Sequence, residues 1–137
     1  MGQMTVIRAA LAKVINDADM AVVAYDWVPD SVVVPCVIVD PAPNAIDYQQ
    51  VYRSQNADWT FELAVVAGRV NERAGQETLD ELVSPDGTRS IPALIDTDRT
   101  LGGVVAFAVP TVMRSYGKLT VAGVDYLGCV VEVEVNV

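Results

Sequence analysis

Histidine is absent from this 137-residue sequence, and lysine occurs only at Lys13 and Lys118. Without histidine the chain lacks the commonest general base and the commonest metal ligand, and no Ser–His or Cys–His pair can form. The two cysteines, Cys36 and Cys129, form no C-x-x-C pair, so a structural zinc site is not expected. We therefore expect no catalytic residue, metal or cofactor.

Long apolar segments are also missing. No apolar run approaches the roughly 18 residues that a membrane-spanning helix needs. The N-terminus lacks a basic region followed by an apolar run and a cleavage site, so we expect no signal peptide and a cytoplasmic location. Both cysteines lie within apolar runs, which favours two buried thiols, although one disulfide is the alternative.

Basic residues are scarce: nine stand against 18 acidic residues, and the net charge is −9. A basic nucleic-acid-binding face is therefore not expected. An acidic surface can still line a passage through which DNA slides, because it repels phosphates. The alternative is an ordinary acidic, soluble protein.

The sequence contains one strongly patterned strand, Trp59–Val66. Trp59, Phe61, Leu63 and Val65 alternate with more polar residues, so they share one face of an extended chain. Because large aromatic side chains dominate core burial, we expect this face at the centre of a single domain spanning residues 1–137. The other predicted elements are helices Thr5–Asp17 (capped by Thr5), Asn71–Val83 and Ser90–Asp96, and strands Met20–Trp27, Val32–Val39, Val104–Arg114 and Tyr126–Val137.

Two segments are predicted to serve assembly. Val32–Val39 is apolar almost throughout and contains Pro35, which indicates an edge strand or a bulge, so Val34 and Val37 are candidate interface residues. Asp40–Ala57 is irregular, and we interpret it as a projecting arm that makes contacts through Tyr48, Tyr52 and Arg53. The alternative is a mobile loop containing a strand.

Three local patterns offer weak chemistry. Asp96 and Asp98 can hold a cation, but no further oxygen ligands are evident, and solvated carboxylates are the simpler interpretation. Glu132 and Glu134 share a strand face as an acid–base pair does, but the exposed polar face of a terminal strand explains them better. Gly102-Gly103 follows no strand, so a nucleotide-binding loop is not supported.

The order of segments resembles small tail-completion proteins of long-tailed phages infecting actinobacteria, of the tail terminator type. The resemblance covers most of the chain. The segments that carry it are Tyr-Asp-Trp-Val-Pro-Asp-Ser at 25–31, Trp-Thr-Phe at 59–61, Ala-Gly-Arg-Val-Asn-Glu-Arg-Ala-Gly-Gln-Glu-Thr-Leu-Asp at 67–80, Ser-Pro-Asp-Gly at 84–87, Arg-Ser-Ile at 89–91, Thr-Leu-Gly-Gly-Val at 100–104 and Gly-Val-Asp-Tyr-Leu-Gly at 123–128.

The resemblance implies an α+β fold: a mixed, mostly antiparallel sheet with two or three helices packed on one side. It implies a ring, a homohexamer, that caps the tail tube, stops its polymerisation and joins the head connector. The partners would be the chain itself, the major tail tube protein and the head–tail connector protein. DNA would pass through without specific binding, and no membrane is involved. The protein would lie in the virion, at the head-proximal end of the tail, after assembly in the host cytoplasm.

If DNA passes through such a ring, its channel is expected to carry more acidic than basic residues. The candidate lumen acids are Glu72, Glu77, Asp80 and Glu81 in the predicted second helix, or Glu132 and Glu134 in the last strand. A head–tail connector or other minor tail protein is the alternative within the virion. Outside it, the alternatives are an enzyme with carboxylate chemistry and a generic oligomer.

Overall fold

The computed structural model describes residues 2–49, 52, 58–70 and 73–137. Its elements in chain order are α1 (Gln3–Asp17), β1 (Val23–Tyr25), β2 (Cys36–Ile46), β3 (Asp58–Arg69), α2 (Arg73–Val83), α3 (Ile91–Thr97), β4 (Phe107–Val121) and β5 (Val124–Asn136). The five strands form one mixed sheet in the order β1-β2-β3-β5-β4, in which only β1 and β2 are parallel. The expected α+β class is confirmed.

The three helices cover one face of this sheet, which we call the core face. Ile7 and Leu11 of α1, Leu79 of α2 and Ile95 of α3 are fully buried against the strands. Strands β3 and β5 contribute the centre of the core, as the alternation predicts. Their core residues are Phe61, Leu63, Val65, Cys129, Val131, Val133 and Val135, each no more than 2% exposed. Trp59 is only partly buried, at the end of the same row.

The opposite face, which we call the open face, is not covered by α1, α2 or α3. At one end a small second cluster forms around Cys36, Ile38, Val66 and Val121, each buried. Gly128 belongs to this end, because a Cβ there would lie 2.5 Å from the carbonyl oxygen of Val65. Because glycine has no Cβ, β5 can approach the backbone of β3 closely at this position.

Several boundaries differ from the sequence prediction. Helix α1 begins two residues earlier than expected, and Gly2 rather than Thr5 is its N-cap residue. Strand β2 begins at Cys36, after Pro35, and extends to Ile46. It is not an edge strand at its start, because β1 pairs with Cys36–Ile38. The first part of the predicted arm is therefore strand, and register with β3 is lost between Pro41 and Ile46.

The predicted third helix is present, at Ile91–Thr97. Ser90, predicted as its first residue, is instead its N-cap and accepts a hydrogen bond from the Ala93 N–H at 3.1 Å. Ala122 and Gly123 both have positive φ, 52° and 78°, as a two-residue turn of the type common in hairpins requires. Strand β4 is longer than predicted and continues through bulges instead of ending at Arg114.

Phe61→Ala should lower the free energy of unfolding by about 3–5 kcal/mol, because it leaves a cavity in the buried core. Chemical denaturation followed by circular dichroism measures this change. Tyr52→Ala is the matched control: Tyr52 is 79% exposed, so its loss should cost less than about 0.5 kcal/mol. A Phe61→Ala variant as stable as the control would contradict the central position of this side chain.

Candidate assembly surfaces

The carboxylates of Asp96 and Asp98, the candidate cation ligands, are hydrogen-bonded to neighbouring residues of the chain. The Asp96 Oδ1 accepts hydrogen bonds from Arg99 at 2.7 and 3.0 Å, and the Asp98 Oδ1 accepts one from the Gly102 N–H at 3.3 Å. Within the described ranges, no group of three or more potential ligands is placed to hold a metal ion. Asp96 and Asp98 thus stabilise the end of α3 and the following turn.

The cysteines are confirmed as two free, buried thiols. Cys129 lies on the core face and Cys36 on the open face, so the sheet separates them. Burial raises the pKa of each thiol to about 11, because a thiolate is poorly solvated in apolar surroundings. Both therefore remain protonated and unreactive near neutral pH.

Acidic residues form a row across the uncovered end of the open face. Asp40 of β2 is directly opposite Glu62 of β3, and Glu62 is directly opposite Glu132 of β5. Glu134 lies two residues further along β5, on the same face, opposite Thr60. We call Asp40, Glu62, Glu132 and Glu134 the acidic row. Like charges on directly opposite residues repel, so this arrangement costs stability unless a cation intervenes.

Arg114 of β4 is that cation. Its Nη2 donates a hydrogen bond to Glu62, and its Nε lies 3.8 Å from Glu132. One guanidinium thus screens two adjacent carboxylates, while Asp40 and Glu134 are exposed beyond it. The acidic row keeps a net negative charge after this pairing.

The candidate lumen acids on α2 are arranged differently. Glu77 pairs with Arg73 and Glu81 with Arg89, each at 3.6 Å. Asp80 accepts a 2.6 Å hydrogen bond from the Tyr116 hydroxyl, and this bond is the main cause that raises the pKa of Tyr116 to about 12. Glu72 lies outside the described residues. The described helix acids thus each have a partner, and less unbalanced charge remains on α2 than on the acidic row.

The predicted interface residues fall into two groups. Tyr48 and Tyr52 are helical, 62% and 79% exposed, and their rings stack with centroids 6.1 Å apart. Arg53 lies outside the described residues. Val34 is half-buried beside the open-face cluster. Val37 was wrongly assigned: it points to the core face and is fully buried, because β2 begins after Pro35 and places Val37 inward.

The arm and the acidic row meet at a recess. A polar cavity of about 740 Å³ is lined by residues of both, including Asn44, Tyr48, Thr60 and Glu134. The exposed tyrosine pair therefore stands next to the acidic end of the open face. This juxtaposition follows from the pairing of Ile46 with Trp59, which the sequence alone does not indicate.

Two exposed apolar surfaces were not predicted. The loop between β1 and β2 exposes Trp27, Val28 and Val33 by 58–64%. Edge strand β4 and its lead-in expose Val104, Phe107, Val112, Met113 and Tyr116 by 41–51%. In the sequence, the signal for the first surface was Trp27, which lies two residues before Pro29. The second had only Pro110 and the charges of Arg114 and Lys118, which are typical of edge strands.

Arg114→Gln should lower the free energy of unfolding by roughly 1 kcal/mol at neutral pH, a modest value because the pair is partly solvated. In a Glu62→Gln background the same change should cost less than half as much, since one repelling carboxylate is gone. Urea denaturation of the four proteins measures this coupling. Arg73→Gln, which removes an exposed pair, is the control and should be neutral. Additive losses would show that Arg114 does not bridge the carboxylates.

The described residues place no helix that is long and apolar enough to cross a membrane. No protein-family model matches the chain, and a search of the curated proteins finds no match either. The features that indicate a function are the resemblance in segment order and the surfaces described above: the acidic row, the tyrosine pair and the two exposed apolar surfaces.

Proposed function

We propose that this chain is a structural virion protein of a tailed phage, a tail terminator. Copies of it form a ring, of six subunits as the resemblance implies, at the head-proximal end of the tail. The ring caps the tail tube, stops its polymerisation and forms the joint to the head connector. DNA passes through its centre.

The acidic row is the observation that carries this proposal. It lies on the face of the sheet opposite α1, α2 and α3, and Arg114 compensates only part of its charge. A surface that binds phosphate gains free energy from counterion release, and it would hold DNA in place. An open sheet face with excess carboxylates instead suits a channel in which DNA must slide. We assign this face, rather than α2, to the channel.

The positions of the segments that carry the resemblance support the same function. Tyr25–Ser31 spans the end of β1 and the exposed loop, and the 59–61 segment lies in central strand β3. The 84–87 segment is the turn after α2, and the 123–128 segment opens β5. None of these segments brings together acid, base and nucleophile groups. These segments form strands, turns and surface loops, as expected of a protein whose function is assembly.

The stacked tyrosines supply a contact for the tail tube. Tyr48 and Tyr52 present exposed, amphipathic rings beside the acidic end of the open face. Tyrosines are enriched among residues that dominate binding energy at interfaces, because a large rigid ring loses little entropy on burial. The arm therefore reaches the tube from the rim of the channel.

Electron microscopy of the purified protein, alone and mixed with tail tube protein, tests the proposal. We expect rings alone and capped tubes of limited length in the mixture. A Tyr48→Ser/Tyr52→Ser variant should still form rings but leave the tubes uncapped. Monomers, or rings that do not contact the tube, would contradict a terminator. Rings that bind only a head connector would favour the neck-protein alternative.

A gel-shift assay with duplex DNA at low salt tests the channel assignment. The wild-type ring should not retain DNA. Replacing Glu132 and Glu134 by lysine should create retention that disappears as salt rises, because phosphate contacts depend on counterion release. The same charge change at Glu77 and Glu81 of α2 is the matched control and should produce weaker retention. Tight, salt-sensitive binding by the wild-type protein would contradict DNA passage through an acidic channel.

A further inference from the structure

The two edges of the sheet differ in charge. Residues 18–49, which form β1, the exposed loop and β2, contain five aspartates and no lysine or arginine. Residues 99–124, which lead into and form β4, contain three basic residues and no acidic one. Arg99 and Arg114 are paired with carboxylates outside this segment, so the exposed Lys118 is the main basic group that this edge offers to a partner. Because β1 and β4 are the first and last strands of the sheet, these segments lie at opposite edges.

Each edge also exposes apolar side chains. At the β1–β2 edge, Trp27 and Val33 are 63% and 64% exposed on a loop that is held by a 3.1 Å hydrogen bond from the Val33 N–H to the Tyr25 hydroxyl. At the β4 edge, Val112 and Met113 are 51% and 46% exposed. Apolar surface beside complementary charge is typical of protein–protein interfaces.

Neither edge is suited to simple strand addition. The outward N–H and C=O of Ala24 in β1 are both hydrogen-bonded to the Asn16 side chain, at 2.9 and 3.1 Å. The free part of β2 contains Pro41 and Pro43, which lack an N–H. Strand β4 contains Pro110 and two bulges. Such features prevent uncontrolled edge pairing, so a partner must be bound through side chains.

We infer that the β4 edge of one copy binds the β1–β2 edge of the next copy, with the Trp27 loop against the apolar part of β4 and its aspartates facing Lys118. This inference rests on the proposed ring and identifies its subunit interface. Lys118 is available for this contact: its side chain is 64% exposed, and its ion pair with Asp125 is long, at 4.0 Å.

A second copy is the occupant that the charges favour. The contact joins two different surfaces of the same chain, so it is heterologous, and a heterologous contact that closes on itself produces a ring. Pairing of β4 with β4 would instead place Arg114 and Lys118 against their own copies and leave the aspartates unmatched. Edge-to-edge contact also leaves the open face free for the channel.

Two one-sided variants test the inference by mass measurement in solution. Trp27→Glu blocks only the β1–β2 edge, and Met113→Glu/Lys118→Glu blocks only the β4 edge. Each variant alone should be a folded monomer of 14.7 kDa, while an equimolar mixture should form a dimer of twice that mass, because each retains the edge that the other lacks. Val6→Glu, on the helix side, is the control and should assemble like the wild type. Circular dichroism and cooperative unfolding verify that all four proteins are folded.

The outcomes separate this inference from the proposed function. If the wild type forms rings and either one-sided variant also does, the edge interface is overturned while the ring stands. A mixture that stays monomeric likewise overturns it. Assembly of the Trp27 variant when the β4-blocked variant stays monomeric also overturns it. A monomeric wild type contradicts both the ring and its interface.

Discussion

Strands β3 and β5 pair along nearly their whole length, and the burial of their shared core face under three helices holds the rest of the molecule in place. Phe61, Leu63 and Val65 lie at the centre of this contact and are fully buried. Since apolar burial supplies most of the driving force for folding, the helices are committed to this one face. The other face is thereby left without any of these three helices.

The two halves of the open face differ in what covers them. One half is apolar and is covered by the subunit's own loop, in which Val32 and Val34 pack over the cluster around Cys36. The other half carries the acidic row, which costs electrostatic repulsion that Arg114 only partly relieves. A charge arrangement that reduces stability is expected at a functional surface rather than at a structural one. The fold and the proposed channel are in this way two consequences of covering a sheet on one face only.

Residues with strong local patterns were predictable. The alternation in β3, the short helix near residues 90–96 and the C-terminal strand depend on near neighbours, and the structure agrees with each. Val37 was misassigned because an unbroken apolar run does not indicate which alternate residues face the core. Only the start of β2 after Pro35 determines that Val37 points inward. The acidic row could not be predicted for a related reason. Asp40, Glu62 and Arg114 become neighbours only through the strand order, which local sequence does not specify.

The central claim is that copies of this chain close into a ring with the open face of the sheet toward the channel. A reconstruction of the purified ring by electron cryo-microscopy, with the subunit fitted as a rigid body, tests it most directly. The account predicts that Asp40, Glu62, Glu132 and Glu134 line the channel while α1, α2 and α3 face outward. A channel lined by the helices or by basic residues, or a particle without a central channel, would contradict it.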